Sequence, residues 1–176
     1  MSLRETDRLS VLRECAERLA RAEGEKVQSA TEPFVAFLAG GHCFGVHLRS
    51  VVYAGRVRHL TPLPGGSSYL LGITVLAGHL VSMLDVAAFL ELRQQGLSDV
   101  SCCLVVQANG RELGLAAEQL IGIEEVPADR IASLGTGGKT AIIKQAAVLY
   151  RTRMLLIDLE QLIADERLSG GGANHG

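Results

Sequence analysis

The segment of this sequence most similar to a ligand-binding motif is the glycine-rich run Gly135–Thr140, GTGGKT. A phosphate-binding loop needs a glycine five residues before the glycine of its GK pair, and Ser133 occupies that position. It also needs a helix after the lysine, because helical amides and the helix dipole converge on the phosphate. Ala141–Ile143 is instead typical of a strand. We interpret the run as a hairpin loop, and nucleotide binding through it is the weakest of three functional hypotheses.

The other reactive side chains do not form a catalytic or metal-binding pattern. The five histidines show no HxH or HExxH spacing, and the four cysteines show no CxxC spacing. Cys102 and Cys103 are adjacent in a predicted strand, so their side chains point to opposite faces. Glu124, Glu125 and Asp129 lie near a proline turn, where nothing indicates the burial that an acid–base pair needs. We therefore expect a protein that is not an enzyme and that uses no metal or cofactor.

Composition excludes further classes of function. Lysine and arginine number 17 against 19 aspartates and glutamates, so the net charge of −2 predicts neither nucleic-acid nor membrane-surface binding. Aromatic residues make up 4% with no tryptophan, so base-stacking platforms are not expected. The N-terminus lacks the pattern of a signal peptide, which predicts a cytoplasmic protein. Hydrophobic residues make up 48%, enough for one domain or for two small lobes that share a core.

The central stretch Tyr69–Val86, YLLGITVLAGHLVSMLDV, contains a single charge. Its length could suit a membrane-spanning helix, but Gly72 and Gly78 would each weaken a helix by about 1 kcal/mol. Its β-branched residues favour extended structure. The sequence therefore predicts two buried strands, Leu70–Leu76 and Leu80–Leu84, joined by a short turn.

Other short strands surround this stretch, and Asn109–Gly110 is a strong hairpin signal between two of them. They are predicted at Phe34–Leu38, Cys43–Leu48, Ser101–Ala108, Arg111–Ala117, Leu120–Val126, Thr140–Leu149 and Thr152–Ile157. Asp85 is expected to cap a helix at Val86–Arg93, and Asp158 a helix that extends to Arg167. A run of strands that ends in an aspartate-capped helix therefore occurs twice along the chain. This repetition predicts a mainly β fold of two pseudo-related lobes, each a small barrel.

The sequence divides into four segments. Residues 1–27 are predicted to form an amphipathic helix, with Leu9, Leu12, Ala16 and Leu19 at helical spacing. Residues 28–33 are a linker, residues 34–168 form the β domain, and residues 169–176 form a flexible tail. The N-terminal helix either packs on its own domain or serves as a docking or dimerising helix.

The order of motifs resembles that of the CheW-like adaptor domain of bacterial chemotaxis over about Phe34 to Asp165. The first strands carry the family's aromatic and glycine positions at Phe34, Phe37, Gly40, Phe44 and Gly45, its aliphatic position at Val46, and its next aliphatic position at Val51. The central stretch fits the family signature at Gly72, Ile73, Leu76, Gly78, Leu80, Met83, Asp85 and Val86. Gly114-Leu115 and Asp129-Arg130-Ile131 fit later positions. The spacing of these motifs together is more specific than any single one.

This resemblance implies two five-stranded β-barrel lobes and an adaptor that performs no chemistry. Its partners would be the tips of chemoreceptors, the regulatory domain of a CheA-type histidine kinase and other CheW-like proteins. The kinase-binding residues implied are Val46, Val51 and Tyr53. The implied residues of the receptor groove are Val75, Ala77, Gly78 and Ser82.

The sequence departs from the family at several of these positions. Val75 stands where the family has asparagine, Ala77 where it has arginine, Ser82 where it has proline, and Tyr53 where an acidic residue is usual. Because arginine is a typical interface anchor, Ala77 predicts an altered receptor-facing groove. The leading hypothesis is therefore a divergent coupling protein. The alternative is a module of the same fold that docks a non-receptor partner through its groove or its N-terminal helix.

Overall fold

The computed structural model describes residues 30–92, 100–134, 141–149 and 152–169. The strands are β1 Thr31–Ala39, β2 His42–His47, β3 Val51–Arg56, β4 Leu70–Leu76, β5 His79–Leu84, β6 Cys102–Ala108, β7 Arg111–Ala117, β8 Gln119–Pro127, β9 Ile131–Ser133, β10 Gln145–Leu149 and β11 Thr152–Leu156. The helices are α1 Val86–Phe89, α2 Leu159–Ala164 and α3 Glu166–Ser169. The predicted N-terminal helix, the loop Gly135–Thr140 and most of the predicted tail lie outside the described residues.

The strands form two sheets, as a fold of two β-lobes requires. One sheet has the order β8-β1-β2-β11-β10-β9 and the other the order β3-β6-β7-β5-β4. In the first, the two edge strands are joined by the three-residue 3₁₀ turn Ala128–Arg130, so the sheet must curl until its edges lie close together. The predicted mainly β fold of two lobes is confirmed. The first sheet has six strands rather than five, because β9 adds a short strand after this turn.

The lobes do not correspond to successive halves of the chain. The terminal lobe uses β1, β2 and β8–β11, whereas the central lobe uses β3–β7. The repeated feature is local: β5 and β11 each pair in parallel with a neighbour, and each leads into an aspartate-capped helix. The chain therefore starts one lobe, completes the other and returns to finish the first.

A shared hydrophobic core joins the lobes. The larger buried cluster takes Phe37, Phe44 and Val46 from the terminal lobe, and Met83 and Leu115 are among its residues from the central lobe. A smaller cluster, which includes Phe34, Met154 and Val126, lies within the terminal lobe alone. Burial of apolar surface contributes about 25 cal/mol per Å², so the larger cluster stabilises the contact between the lobes.

Three predicted boundaries are wrong. Helix α1 ends at Phe89 rather than Arg93, because Glu91 adopts a left-handed φ of 56°, which ends a helix. Strand β10 begins at Gln145 rather than Thr140. Ile142 and Ile143 are adjacent and both buried, whereas adjacent residues of a regular half-exposed strand point to opposite faces of the sheet. Strand β1 begins at Thr31, within the predicted linker.

The predicted second helix is also divided. Asp165 is extended, which ends α2 at Ala164, and its carboxylate then accepts the backbone N–H of Arg167 in α3. Within the described part of the chain, no helix is long and apolar enough to cross a membrane.

Candidate partner-binding surfaces

The hairpin of β4 and β5 presents a pair of exposed apolar side chains. Val75 and Leu80 lie directly opposite each other in the antiparallel register and are 63% and 74% exposed. The next pair on the same face joins Ile73 to the exposed Ser82. Cross-strand neighbours have Cβ atoms about 5 Å apart, so Val75 and Leu80 form one continuous apolar spot.

The turn of this hairpin is strained at one residue. Ala77 and Gly78 both have positive φ, 48° and 84°, which is the type I′ geometry that suits the twist of a two-residue hairpin. Gly78 adopts this conformation without cost, whereas an alanine does not. Ala77 therefore occupies an exposed, unfavourable turn position with a side chain too short to reach a partner.

The outer edge of β4 is covered by the chain that leads into it. Thr61 exchanges two backbone hydrogen bonds with Ile73, at 2.8 and 2.9 Å. The hydroxyl of Thr74 donates to the carbonyl oxygen of His59 at 2.5 Å. Gly72 allows this approach, because a Cβ atom there would overlap the carbonyl oxygen of Thr61. Residues 59–61 are thereby fixed along the hairpin.

The other edge strand of this sheet, β3, contains the second exposed apolar group. Val51 pairs with Val106 and Tyr53 with Val105, so Val52 is the extra residue of a β-bulge. Val52 is 55% exposed and Tyr53 37%, while Val51 is half-buried against the larger core cluster. A bulge commonly re-aims side chains at a sheet edge, and here it leaves two successive apolar residues exposed.

The structure separates the predicted kinase-binding residues. Tyr53 is exposed and Val51 partly exposed, but Val46 is fully buried in β2 opposite Val35. Val46 therefore has a core position, and its side chain does not reach a partner in this conformation. The predicted groove residues Val75, Ala77, Gly78 and Ser82 all lie on the β4–β5 hairpin and are exposed.

Sequence reasoning missed other exposed apolar side chains. Val52, Ile121, Ile123 and Val148 are between 44% and 59% exposed. In β8 the sequence lacks a regular alternation of apolar and polar residues, which could have indicated this exposure. Ile121, Gly122 and Ile123 are three successive exposed residues. Gly122 has a φ of 143°, which interrupts the regular pleat there.

The described residues provide little for catalysis. Burial raises the pKa of Cys103 to about 11, with a further contribution from Cys102. Burial, assisted by the charge of Glu124, also raises the pKa of Cys43. Both thiols therefore stay protonated near neutral pH, whereas nucleophilic and metal-binding cysteines are thiolates. Within the described ranges, no three histidine, cysteine or acidic side chains are grouped as metal ligands.

Comparison with known proteins agrees with this architecture. A sequence model of the CheW-like domain matches residues 33–167. The chain belongs to the CheW-like family. CheW-like proteins are non-catalytic scaffolds and adaptors of chemotaxis, so an adaptor role, in general terms, follows for this member.

Two relatives show the extent of the similarity. The chain is 26% identical to Protein FrzA of Myxococcus xanthus over 110 residues, which cover 62% of this chain and 69% of FrzA. The crystal structure of the scaffolding protein TtCheW from Thermoanaerobacter tengcongensis superposes with a TM-score of 0.67 at 18% identity. The superposition covers 78% of this chain and 95% of TtCheW. At this identity the match shows a common CheW-like fold.

Proposed function

We propose that this CheW-like protein is a cytoplasmic adaptor that couples chemoreceptors to a CheA-type histidine kinase. It performs no chemistry. It transmits the state of the receptor by binding kinase conformations with different affinities, so that receptor binding shifts the kinase equilibrium. The observation that carries the proposal is the bulged edge of β3, where Val52 and Tyr53 are exposed beside the family's aliphatic position at Val51.

The β3 edge is proposed as the kinase-binding surface. Interfaces are energetically dominated by a few anchor residues, among which tyrosine is enriched, so Tyr53 is the proposed anchor and the exposed Val52 beside it adds apolar contact area. Val51 supports them from the core side, since it packs against the larger cluster. Substituting Val51 would therefore disturb both packing and binding, which makes its exposed neighbours better probes.

The β4–β5 hairpin is proposed as the receptor-facing surface. Here the exposed pair Val75 and Leu80 is apolar, and Ala77 lacks the guanidinium that the family resemblance leads us to expect. The same observation favours a second candidate function, in which the hairpin docks a non-receptor partner. Titration with a chemoreceptor tip fragment separates the two candidates: binding that Val75→Asp removes supports the receptor, and absence of binding supports another partner.

The deciding experiment is a calorimetric titration of the full-length protein with the regulatory domain of its cognate kinase. We expect micromolar or tighter binding. Val52→Arg and Tyr53→Arg should each weaken it about tenfold or more, because each would place an unpaired charge in the apolar centre of the interface. Val148→Arg is a matched control, since Val148 is also 55% exposed but lies on β10 of the other lobe.

Two results would count against the kinase assignment. One is the absence of any heat of binding at several temperatures with a protein that circular dichroism shows to be folded. The other is equal weakening by Val52→Arg and by the control Val148→Arg, which would mean that the β3 edge is not the binding surface.

A further inference from the structure

The first connection between the two lobes begins at a histidine. His47 ends β2 of the terminal lobe, and the 3₁₀ turn Leu48–Ser50 leads from it directly into β3 of the central lobe. The Nδ1 atom of His47 accepts the backbone N–H of Arg49 at 3.3 Å. The N–H of Val51 closes the turn on the carbonyl oxygen of Leu48. His47 is therefore the N-cap of the turn that positions the start of β3.

The imidazole of His47 also contacts β1 of its own lobe. Its Nε2 atom lies 3.9 Å from the carboxylate of Glu32, and its ring packs edge-on against Phe34 with ring centres 5.3 Å apart. The side chain is 24% exposed, so it can exchange protons with water. The other charged side chains that line the cleft beside the ring are Arg49, Lys144, Asp158 and Glu160. Lys144 and Asp158 pair with each other, and among the described residues His47 lies within ion-pair distance of Glu32 alone.

The capping contact of His47 exists only while the imidazole is neutral. A neutral imidazole has one N–H group and one acceptor nitrogen, whereas the protonated ring has two N–H groups and no acceptor. Because the N–H of Arg49 occupies Nδ1, the neutral ring carries its proton on Nε2, toward Glu32. Protonation adds a hydrogen at Nδ1, where it faces the N–H of Arg49, and gives the ring a charge that attracts Glu32. The two protonation states therefore favour different partners.

We propose that His47 is a pH-sensitive switch for the start of β3. Neutral His47 caps the turn, whereas protonated His47 releases the N–H of Arg49 and pairs with Glu32. Histidine suits this role, since it is the one side chain that ordinarily changes its charge between pH 5 and 8. The exposed Val52 and Tyr53 follow the turn closely along the chain, so the order of the β3 edge decreases as the pH falls.

This switch changes local order more than it changes overall stability. On protonation the protein loses one capping hydrogen bond and gains one partly exposed ion pair, and these contributions are of similar size and opposite sign. The consequence for binding rests on the proposed function. A less ordered β3 edge binds the kinase domain more weakly, because association must then also order that edge.

The test is NMR spectroscopy of the full-length protein between pH 8 and pH 5.5, which needs no partner. At pH 8 the ring nitrogens of His47 should show the Nε2–H tautomer. On acidification, hydrogen-exchange protection of the Arg49 and Val51 amides should fall about three- to tenfold, after correction for the intrinsic pH dependence of exchange. This loss should follow the protonation of the His47 ring.

Four variants separate the switch from a merely structural role. His47→Asn should keep the Arg49 amide protected at both pH values, because asparagine is a good N-cap and does not titrate. His47→Ala removes the acceptor, so this protection should be low throughout. His79→Asn is the matched control, since His79 is exposed on β5 and should leave the pH dependence unchanged. Glu32→Gln should lower the urea midpoint at pH 5.5 but not at pH 8, because only the protonated ring pairs with the carboxylate.

Three results would overturn the inference. They are an Nδ1–H tautomer of His47 at pH 8, protection of the Arg49 amide that does not change with pH, and a His47→Asn variant that retains the pH dependence of the wild type.

Calorimetric titration with the kinase regulatory domain at pH 8 and pH 5.5 tests the consequence for binding. Wild-type affinity should fall about two- to fivefold on acidification relative to that of His47→Asn. A protein that shows the NMR transition but binds no kinase domain contradicts the proposed function alone. Equal pH dependence of binding in the two proteins contradicts the link between His47 and the β3 edge.

Discussion

At the scale of single residues, Arg167 connects the helical segment that follows β11 to α1, which follows β5. Its guanidinium carbon lies 3.8 Å from the ring centre of Phe89, and its Nη1 donates to the carbonyl oxygen of Phe89 at 3.0 Å. Its Nε and Nη2 both donate to the carboxylate of Asp165 at 3.0 Å. These hydrogen bonds lower the pKa of Asp165 and raise that of Arg167, so both groups are charged at neutral pH.

Tyr69 connects this cluster to the β4–β5 hairpin. Its ring packs edge-on against Phe89 with centroids 5.0 Å apart, and its hydroxyl donates to the carbonyl oxygen of Arg167. The carbonyl oxygen of Tyr69 accepts the N–H of Asp85, which closes the base of the β4–β5 hairpin. Arg167 thus fixes the hairpin base to the terminal lobe.

We predict that Arg167→Ala lowers the free energy of unfolding by about 1–2 kcal/mol, because it removes a cation–π contact and a set of hydrogen bonds at a partly exposed site. Arg167→Lys should have a free energy of unfolding between those of the wild type and Arg167→Ala, since a lysine keeps the charge but not the planar guanidinium group. Urea denaturation measures both. Arg153→Ala, at an exposed arginine, should change stability by less than about 0.5 kcal/mol, and an equal effect of the two alanine variants would contradict the prediction.

The candidate site could be predicted only in part, for a reason visible in β2 and β3. Apolar alternation identifies both Val46 and Val51 as inward-facing, yet only Val46 is fully buried. With Val51 facing inward, regular alternation would turn Tyr53 inward as well, but the β-bulge at Val52 shifts the alternation by one residue and leaves Tyr53 exposed. A bulge depends on pairing with β6, a strand distant in sequence, so its position is not encoded in local periodicity.

At the scale of elements, two aspartates cap helices in different environments. The Oδ1 atom of Asp85 accepts the N–H of Ala88 at 3.0 Å, and Asp85 is fully buried. The Oδ1 atom of Asp158 accepts the N–H of Gln161 at 3.1 Å, while its Oδ2 pairs with the ammonium group of Lys144 at 2.9 Å. The Asp158 side chain is 29% exposed. Both predicted caps are confirmed, and burial distinguishes them.

We predict that Asp85→Ala destabilises the protein by about 2–3 kcal/mol and Asp158→Ala by about 1 kcal/mol. Loss of an N-cap costs about 1 kcal/mol, and at the buried site an amide is additionally left without water or a partner. Thermal and urea unfolding of both variants provide the comparison. Asp158→Asn is the control, because asparagine caps as well as aspartate and only the exposed ion pair is lost. Equal destabilisation by the two alanine variants would show that burial of the cap is unimportant.

Strands and caps were largely predictable because their signals are local. The Asn109–Gly110 turn has both residues at positive φ, 51° and 72°, as the dipeptide predicts, and it joins β6 to β7 at the expected residues. Helix ends were less predictable. Glu91 and Asp165 end α1 and α2 through backbone conformations that the residue types do not require. Local sequence therefore predicts where strands and helices occur better than it predicts where the helices end.

At the scale of the whole molecule, the topology ties the two lobes into one unit. The chain leaves the terminal lobe after β2 and returns to it at β8. Both of these strands pair with β1, so the central lobe is an insertion between two strands of one sheet. Pairings such as β2 with β11 join residues more than a hundred positions apart. Periodicity carries no information on such contacts, which is why the order of the strands could not be derived from local patterns.

This topology and the shared core predict a single cooperative unfolding transition. Calorimetric and van't Hoff enthalpies should agree for the full-length protein. Leu115→Ala removes a side chain from the shared cluster and Met154→Ala one from the cluster within the terminal lobe, and each should cost about 2–5 kcal/mol. Although Met154 lies outside the shared cluster, its substitution should lower the protection of β6 amides in hydrogen exchange as much as that of β10 amides. If Met154→Ala instead produced a separate early transition and left β6 protected, the two lobes would unfold as independent units, which would contradict the prediction.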